Sequence, residues 1–503
     1  MHEDYILALD QGSTSSRALL FNHRGEILAR GQVPLSVKLP RPGWVEHDPE
    51  EIWQSIAQAV DRVFQEKPDA RDHVVAVGLA NQRETVVVWD KATGRAVAPA
   101  ISWQCRRTTE ICQYLKSRGL NDGVHEKTGL TLDPYFSATK MSWLLNHDPE
   151  LRRLDQNHRL AVGTVDSWLL YHLTGGQHLT DVSNASRTLL FNLHTLSWDA
   201  DLLDVFGVPA HILPQVVDSA GTDVMTQGGW FSRSLPIAGI AGDQQASLFG
   251  HGCLRPGMIK STYGTGAFVL MNTGPTPVAN PGVLLSTVAW RMRGETHYAL
   301  EGSLFASGSV VEWLRDNLEL IHELYDSEVM AFSVADTAGV YFVPAFVGLG
   351  APYWDSDARG TIVGLTRNAR KAHLVRAALE SSAFQTRDII ETMIKESGYP
   401  VSRLSVDGGL SYNRFFTQFQ ADVLGVPVKV PSVKELTALG AAALAAEAIG
   451  WDTSSWRSSA NGDEVYWPQM TANERDHRYG EWRKAVKRAL GWAENEISKD
   501  LRC

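Results

Sequence analysis

An α/β fold built around a repeated strand-turn-strand unit is what this sequence predicts, and three observations carry the prediction. "LALDQGSTSSRALLF" (7–21) reads as a strand ending on an acid, a Gly-Ser-Thr turn and a second strand. About half a chain later, "GMIKSTYGTGAFVLMNTG" repeats the theme with a Gly-Thr-Gly turn, similar in pattern rather than identity. Between and after these hairpins, strand-like and helix-like segments alternate, with polar residues at the strand ends.

The elements follow in order. "YILALD", "SRALLF" and "EILARGQV" read as three successive strands. In "VEHDPEEIWQSIAQAVDRVFQE", Asp48 can cap a helix, Pro49 suits its first position and Glu51 stands where a capping-box acid belongs. Ile52, Trp53, Ile56, Ala59, Val60, Val63 and Phe64 recur at helical spacing, so one face belongs to the core. "HVVAVGLA" reads as a buried strand ending on "NQRET", with the strand "VVVW" after it. In the second half, "PIAGIAGDQQASLFG" leads into the repeated hairpin, and "LSVDGGLSYNRFFTQFQADVLG" joins a short strand to an amphipathic helix through a Gly-Gly turn. "ALGAAALAAEAIG" (438–450) is too short to span a bilayer, which takes about 20 apolar residues, and reads as a buried, closely packed helix. The boundary between halves is expected near 245–255, giving units of 1–252 and 253–503.

At 503 residues, 44% hydrophobic and 21% charged, the chain is long enough for two or three domains. Its net charge of -10 is spread along the sequence, which argues against a nucleic-acid or anionic-membrane partner. Cys105, Cys112, Cys253 and Cys503 form no CxxC pair, so reduced thiols and a cytoplasmic location are expected rather than a zinc site. The acidic "MHEDY" runs straight into the first strand, and no signal peptide or integral membrane segment is expected.

The opening turn has the small residues of a phosphate loop but lacks the lysine of a Walker A motif. Gly12 gives backbone freedom, and the N–H groups and hydroxyls of Ser13, Thr14 and Ser15 can converge on phosphate oxygens. Arg17 can add a cation there, and Asp10 can hold Mg²⁺ through water. A strand-end Asp before Gly also serves as a plain turn former. Asp243, at the end of "GIAGD", can accept a hydroxyl proton as general base or cap a helix starting at Gln244. Arg83 and Glu84 in "NQRET" offer five donors and a carboxylate side by side at a strand's end, where open α/β sheets hold ligands.

"DQGSTSSR", "PGWVEHDP", "NQRET", "WQCRRT", "DPYFSATK", "GIAGDQQASLFG", "YGTGAF" and "DGGLSYN" together resemble the FGGY carbohydrate kinases nearly end to end, and within them the branch that phosphorylates glycerol. "YFSATKMSWLLNH" and "GTIVGLTRNARKAHLVRAALE" look like the family's two signature segments. The resemblance implies two duplicated actin/hexokinase-like (ribonuclease H-like) domains, with ATP/ADP and Mg²⁺ in the cleft between them. It implies phosphorylation of glycerol to sn-glycerol 3-phosphate in glycerol uptake and catabolism, by a homodimer or homotetramer. Another small polyol or ketose as acceptor, or a non-kinase ATPase of the same fold, are the alternatives.

By the same resemblance, Tyr135, Asp243 and Gln244 join Arg83 and Glu84 on the acceptor hydroxyls, and Trp103 and Phe268 cover its carbons. Thr265, Gly308, Gly409 and Asn413 line the nucleotide, with Glu312 standing where the family carries Gln. Asp243 and Arg17 take catalytic roles, and Asp243 joins Asp10 toward the metal. No histidine lies between Gly228 and Pro236, so no phosphohistidine switch is expected there, and Arg233 is one position from the arginine of the family's effector loop.

Overall fold

The computed structural model describes residues 4–278, 282–457 and 462–493. Cys503 and the first three residues of "MHEDY" lie outside them. The first sheet takes β1 (Tyr5–Gln11), β2 (Ser15–Phe21), β3 (Ile27–Pro34), β4 (Val74–Asn81) and β5 (Ile237–Gly242), in the order β5-β4-β1-β2-β3. β1 pairs antiparallel with β2 and parallel with β4, which in turn pairs parallel with β5. Asp10 therefore stands opposite Ala80, and Asn81 opposite Gly242, so the C-terminal ends of three parallel strands come together. Helix α1 (Pro49–Glu66) covers one face with Ile52, Ile56, Ala59, Val60 and Val63. Asp48 caps it, accepting from the Glu50 N–H at 3.0 Å. Glu51 does not complete a capping box: its Oε1 accepts from the Ser36 N–H at 2.8 Å, tying the helix to the loop before it.

The second sheet repeats this plan. Its strands are β6 (Ile259–Tyr263), β7 (Ala267–Gly274), β8 (Leu285–Met292), β9 (Glu295–Leu304), β10 (Leu404–Asp407), β11 (Val428–Val430) and β12 (Glu464–Tyr466), in the order β8-β9-β7-β6-β10-β11-β12. As in the first sheet, a hairpin (β6, β7) has a parallel neighbour, β10, on its first strand. Thr262 stands opposite both Phe268 and Asp407.

Between the sheets lie α2 (Asp243–Gly250) and a helix from the far end of the chain, Leu436–Ala448, which packs against β1, β4, β5 and α2. Its run of alanines explains the fit. A Cβ on Gly78 of β4 would meet the Ala441 carbonyl oxygen at 2.3 Å, and one on Gly440 the Ala246 oxygen at 1.8 Å, so the backbones approach as closely as glycine allows. The buried helix read from "ALGAAALAAEAIG" is present, and it belongs spatially to the first sheet. Cys105, Cys112 and Cys253 are buried and free. Among the described residues, no helix is long and apolar enough to cross a membrane.

Candidate active site

The cleft is built from loops at the ends of β1, β4 and β5 on one side and the β6–β7 hairpin on the other. In the first hairpin, the Gly12 N–H donates to the Ser15 carbonyl at 3.0 Å and closes the turn. Gln11 and Gln82 both donate side-chain N–H groups to the Gly12 carbonyl, at 2.7 and 3.2 Å, which fixes the turn on the end of β4. The Ser13 hydroxyl accepts from Trp103 Nε1 at 2.8 Å, and the Ser15 hydroxyl from Gln32 at 3.1 Å. Among the described residues, no acceptor meets the N–H groups of Ser13 and Thr14, which leaves them available to an anion. Arg17 is held by Glu435, just ahead of the Leu436–Ala448 helix, at 2.8 Å, and stands 4.0 Å from Asp10.

The second hairpin turns through Gly264, Thr265 and Gly266, with Gly264 and Thr265 exposed. Its carbonyls face the start of helix α3 (Gly308–Asp316): Gly308 N–H donates to Gly264 at 2.9 Å, and Ser307 and Ser309 donate to Thr265. A Cβ at Gly308 would lie 2.6 Å from the Gly264 carbonyl oxygen, so this glycine serves the packing of hairpin on helix. Glu312 is exposed on α3. Gly409 is exposed with open space around its Cα, whereas Asn413 caps the helix that follows it, accepting from the Phe416 N–H and donating to Ser327.

Between the hairpins sits a buried network of charge. Arg83 donates through Nη1 to Glu301 Oε2 at 2.6 Å, through Nη2 to the Tyr135 hydroxyl at 3.1 Å, and lies 3.4 Å from Asp243 Oδ1 through Nε. Arg187 joins Glu84 at 2.7 Å and Glu301 at 2.8 Å. Burial alone would raise the Glu301 carboxyl, but Arg187 and Arg83 overcome it and hold it at about 2. Glu84 is nearly inaccessible and adopts φ 62°, a left-handed conformation that costs a non-glycine residue about 1–2 kcal/mol. The strain turns its carboxylate to Arg187 while Arg83, one residue earlier, reaches across to Glu301. Trp103 packs edge-on to Tyr135 at 5.6 Å and to Phe268 at 6.1 Å, and Arg83 lies over the Phe268 ring, so an apolar wall covers the charged floor. Burial pushes the Tyr135 phenol well up, which keeps it a neutral hydroxyl.

Asp243 is the first residue of α2 rather than its cap: Gly242 holds the cap position, and Asp243 Oδ1 accepts from the Gln244 N–H at 2.7 Å. Its carboxyl is raised by burial, against the pull of Arg83. Asp10 is raised to about 7 by burial, with Arg17 opposing and the charges of Asp243 and Glu435 adding to it. Asp10 and the Asp243 whose charge adds to its rise are a donor set suited to Mg²⁺, which takes one or two carboxylates and completes its shell with water and phosphate oxygens. Among the described residues, no group of three His, Cys, Asp or Glu forms a full protein cage for a metal.

The structure thus brings together Asp10, Ser13, Arg17, Arg83, Glu84, Trp103, Tyr135, Asp243, Gln244 and Phe268, and it sets Thr265 on the opposing hairpin with Gly308 packed against it at the start of α3. Sequence reasoning missed Arg187, Lys260, Glu301 and Glu435. Each meets its partner across more than a dozen residues of chain, and in most cases across more than a hundred.

Two duplicated α/β units, facing each other across a cleft with a carboxylate pair on one side and a glycine hairpin on the other, are the architecture of the actin- and hexokinase-like kinases. The chain belongs to the FGGY family of carbohydrate kinases: the model of the family's N-terminal domain matches residues 5–250, and that of its C-terminal domain residues 259–449. It is 49% identical over 491 residues to glycerol kinase 2 of Thermotoga maritima, covering 97% of this chain and 99% of that one. It is 51% identical over 500 residues to the glycerol kinase of Symbiobacterium thermophilum, covering 98% of this chain and 100% of the relative. Among solved structures, Plasmodium falciparum glycerol kinase with ADP superimposes with a TM-score of 0.91 at 34% identity, over 97% of this chain and 98% of that one.

Proposed function

We propose that this enzyme transfers the γ-phosphoryl group of Mg²⁺-ATP to glycerol, giving sn-glycerol 3-phosphate and ADP. The observation that carries the reading is the acceptor pocket: Arg83, Glu84, Tyr135, Asp243 and Gln244 offer polar groups on one side, and Trp103 and Phe268 an apolar wall on the other. A three-carbon chain with three hydroxyls needs that combination of polar groups and a flat apolar wall. Relatives named glycerol kinase, about half identical over nearly the whole chain, point the same way.

In this reading an acceptor hydroxyl oxygen bonds to the γ-phosphorus as the bond to the β–γ bridging oxygen breaks, and Asp243 takes the hydroxyl proton. The Arg83 guanidinium beside Asp243 favours its ionised form, while burial raises its proton affinity above that of an ordinary carboxylate. Ser13, Thr14, Ser15 and Thr265 would receive the phosphates, and Gly308, Glu312, Gly409 and Asn413 would border the nucleoside. Asp10 and Asp243 would hold the metal, which spreads phosphate charge in the transition state. Arg17, held by Glu435, would act as an oriented cation near Asp10 rather than a free one. Residues 1–252 would carry most of the acceptor pocket and 253–503 the nucleoside side. A cytoplasmic homodimer or homotetramer completes the reading, and light scattering of the purified protein distinguishes the two assemblies.

Glycerol-dependent ADP release tests it: ADP should appear many-fold faster with glycerol than without. ADP release indifferent to glycerol, or a higher kcat/KM on xylulose or dihydroxyacetone, would overturn it.

A further inference from the structure

β6 carries an unexpected side chain. Ile259 and Tyr263 face the core of the second half, while Lys260 and Thr262 face the cleft side of the same strand. Lys260 is fully buried. Its ammonium donates to Gln244 Oε1 at 2.5 Å and to Thr262 Oγ1 at 2.9 Å, and among the described residues no carboxylate oxygen lies within ion-pair distance of it. Asp407 from β10, Asp243 from α2, Arg83 from the end of β4 and Glu301 from β9 surround it at longer range. A cation buried without a direct counter-ion carries a heavy desolvation penalty, and an apolar chain would fill the same strand position without it.

The geometry of Gln244 supplies a use for that cation. A carboxamide end is nearly symmetric in shape, and either of its two flips fits the same space. An ammonium group only donates, so the atom facing Lys260 has to be the carbonyl oxygen, and the NH₂ is thereby turned outward. There it lies 3.4 Å from Asp243 Oδ2, at the edge of the acceptor pocket. We propose that Lys260 is a positioning residue for acceptor selection: from the second half of the molecule it locks the Gln244 carboxamide of the first half with its donors toward the acceptor hydroxyl. The role rests on the glycerol reading above.

A double-mutant cycle on the full-length enzyme tests it, with glycerol and ATP KM values taken from ADP release. Lys260→Met should raise the glycerol KM by about 10- to 100-fold, the scale of a lost charge-assisted hydrogen bond. The KM for ATP should stay within about twofold, because the residues proposed for the phosphates lie elsewhere. In a Gln244→Ala background the same substitution should change the glycerol KM by less than about threefold, since its route through the carboxamide is gone and only its longer-range effect on Asp243 is left. Effects that simply add, or an ATP KM that moves with the glycerol KM, would overturn the proposal. Thr262→Val, nearly equal in volume, removes the ammonium's other anchor. It should raise the glycerol KM a few-fold, again only while Gln244 is present, and it decides the matter alone if Lys260→Met does not fold. An unsubstituted enzyme indifferent to glycerol would instead overturn the functional reading.

Discussion

The two hairpins of the cleft share a topology and differ in chemistry. In both, a strand ends in a glycine turn, its partner returns antiparallel, and a parallel strand flanks the first. Yet Asp10 pairs with Arg17 across the first hairpin, whereas Thr262 pairs with Phe268 across the second. The acid of the second unit, Asp407, stands on the neighbouring strand, its Oδ2 3.5 Å from His251 Nε2. One copy concentrates charge where a metal and phosphates are proposed to sit. The other presents uncharged turn residues and an aromatic ring, Phe268, proposed to cover the acceptor. Two walls of one plan thus differ in chemistry, and on the proposed reading the difference divides the labour of binding charge from that of excluding water.

Substitutions on each wall sharpen that division. The largest effect is expected at Asp243→Asn, which should lower kcat by about 10²- to 10⁴-fold, the usual weight of a general base, while calorimetry finds ADP binding largely kept. A variant with normal turnover would remove Asp243 from that role. Glu301→Gln takes a counter-charge out from between two buried guanidiniums. It should cost about 3–5 kcal/mol of stability in denaturant melts, and the glycerol KM should rise. Because Glu301 is depressed in the folded state, its contribution is present above the usual carboxylate range and lost as pH falls toward 2. Loss of stability confined to one half would break the view that this network ties the walls together.

Arg83→Ala should weaken glycerol binding by about 2–3 kcal/mol with a much smaller change for ATP, read from separate KM values. Asp10→Asn has two opposed signatures. Mg²⁺-dependent turnover should fall, yet the metal-free protein should melt higher above pH 7, since Asp10 is raised and its ionisation there works against folding. The thermal gain should shrink as pH falls through 7 and vanish below the usual carboxylate range. The smallest effect is expected at Glu435→Gln, about 1 kcal/mol or less because Arg17 is over a third exposed, seen as a modest rise in the ATP KM.

Much of this was legible in the sequence. The hairpins, α1 and the acid at the end of β5 announced themselves through glycine turns, a 3.6-residue period and strand-end polarity. The residues proposed for the acceptor were singled out chiefly through resemblance, since an adjacent Arg83 and Glu84 carry no local mark that they are buried. Arg187 and Glu301 escaped because a buried ion pair leaves no local signature: its members lie 114 residues apart and look like any two charges. Lys260 was hidden by its strand, where alternating polar positions ordinarily mean solvent. Glu51 misled for the opposite reason, as a correctly spaced capping-box acid that a nearby loop amide claimed first.

The alanine helix of residues 436–448 bears on how the protein is made. The face of the first sheet formed by Ile6, Ala8, Ala76 and Ala80 is covered by a segment synthesised roughly two hundred residues after β5. At translation rates of about 5–20 residues per second, that face waits on the order of 10–40 s for its cover. During that interval the N-terminal unit has one apolar seam without the helix that covers it in the finished fold. The helix that covers this seam comes from the other end of the chain, and a truncation before residue 436 would expose it.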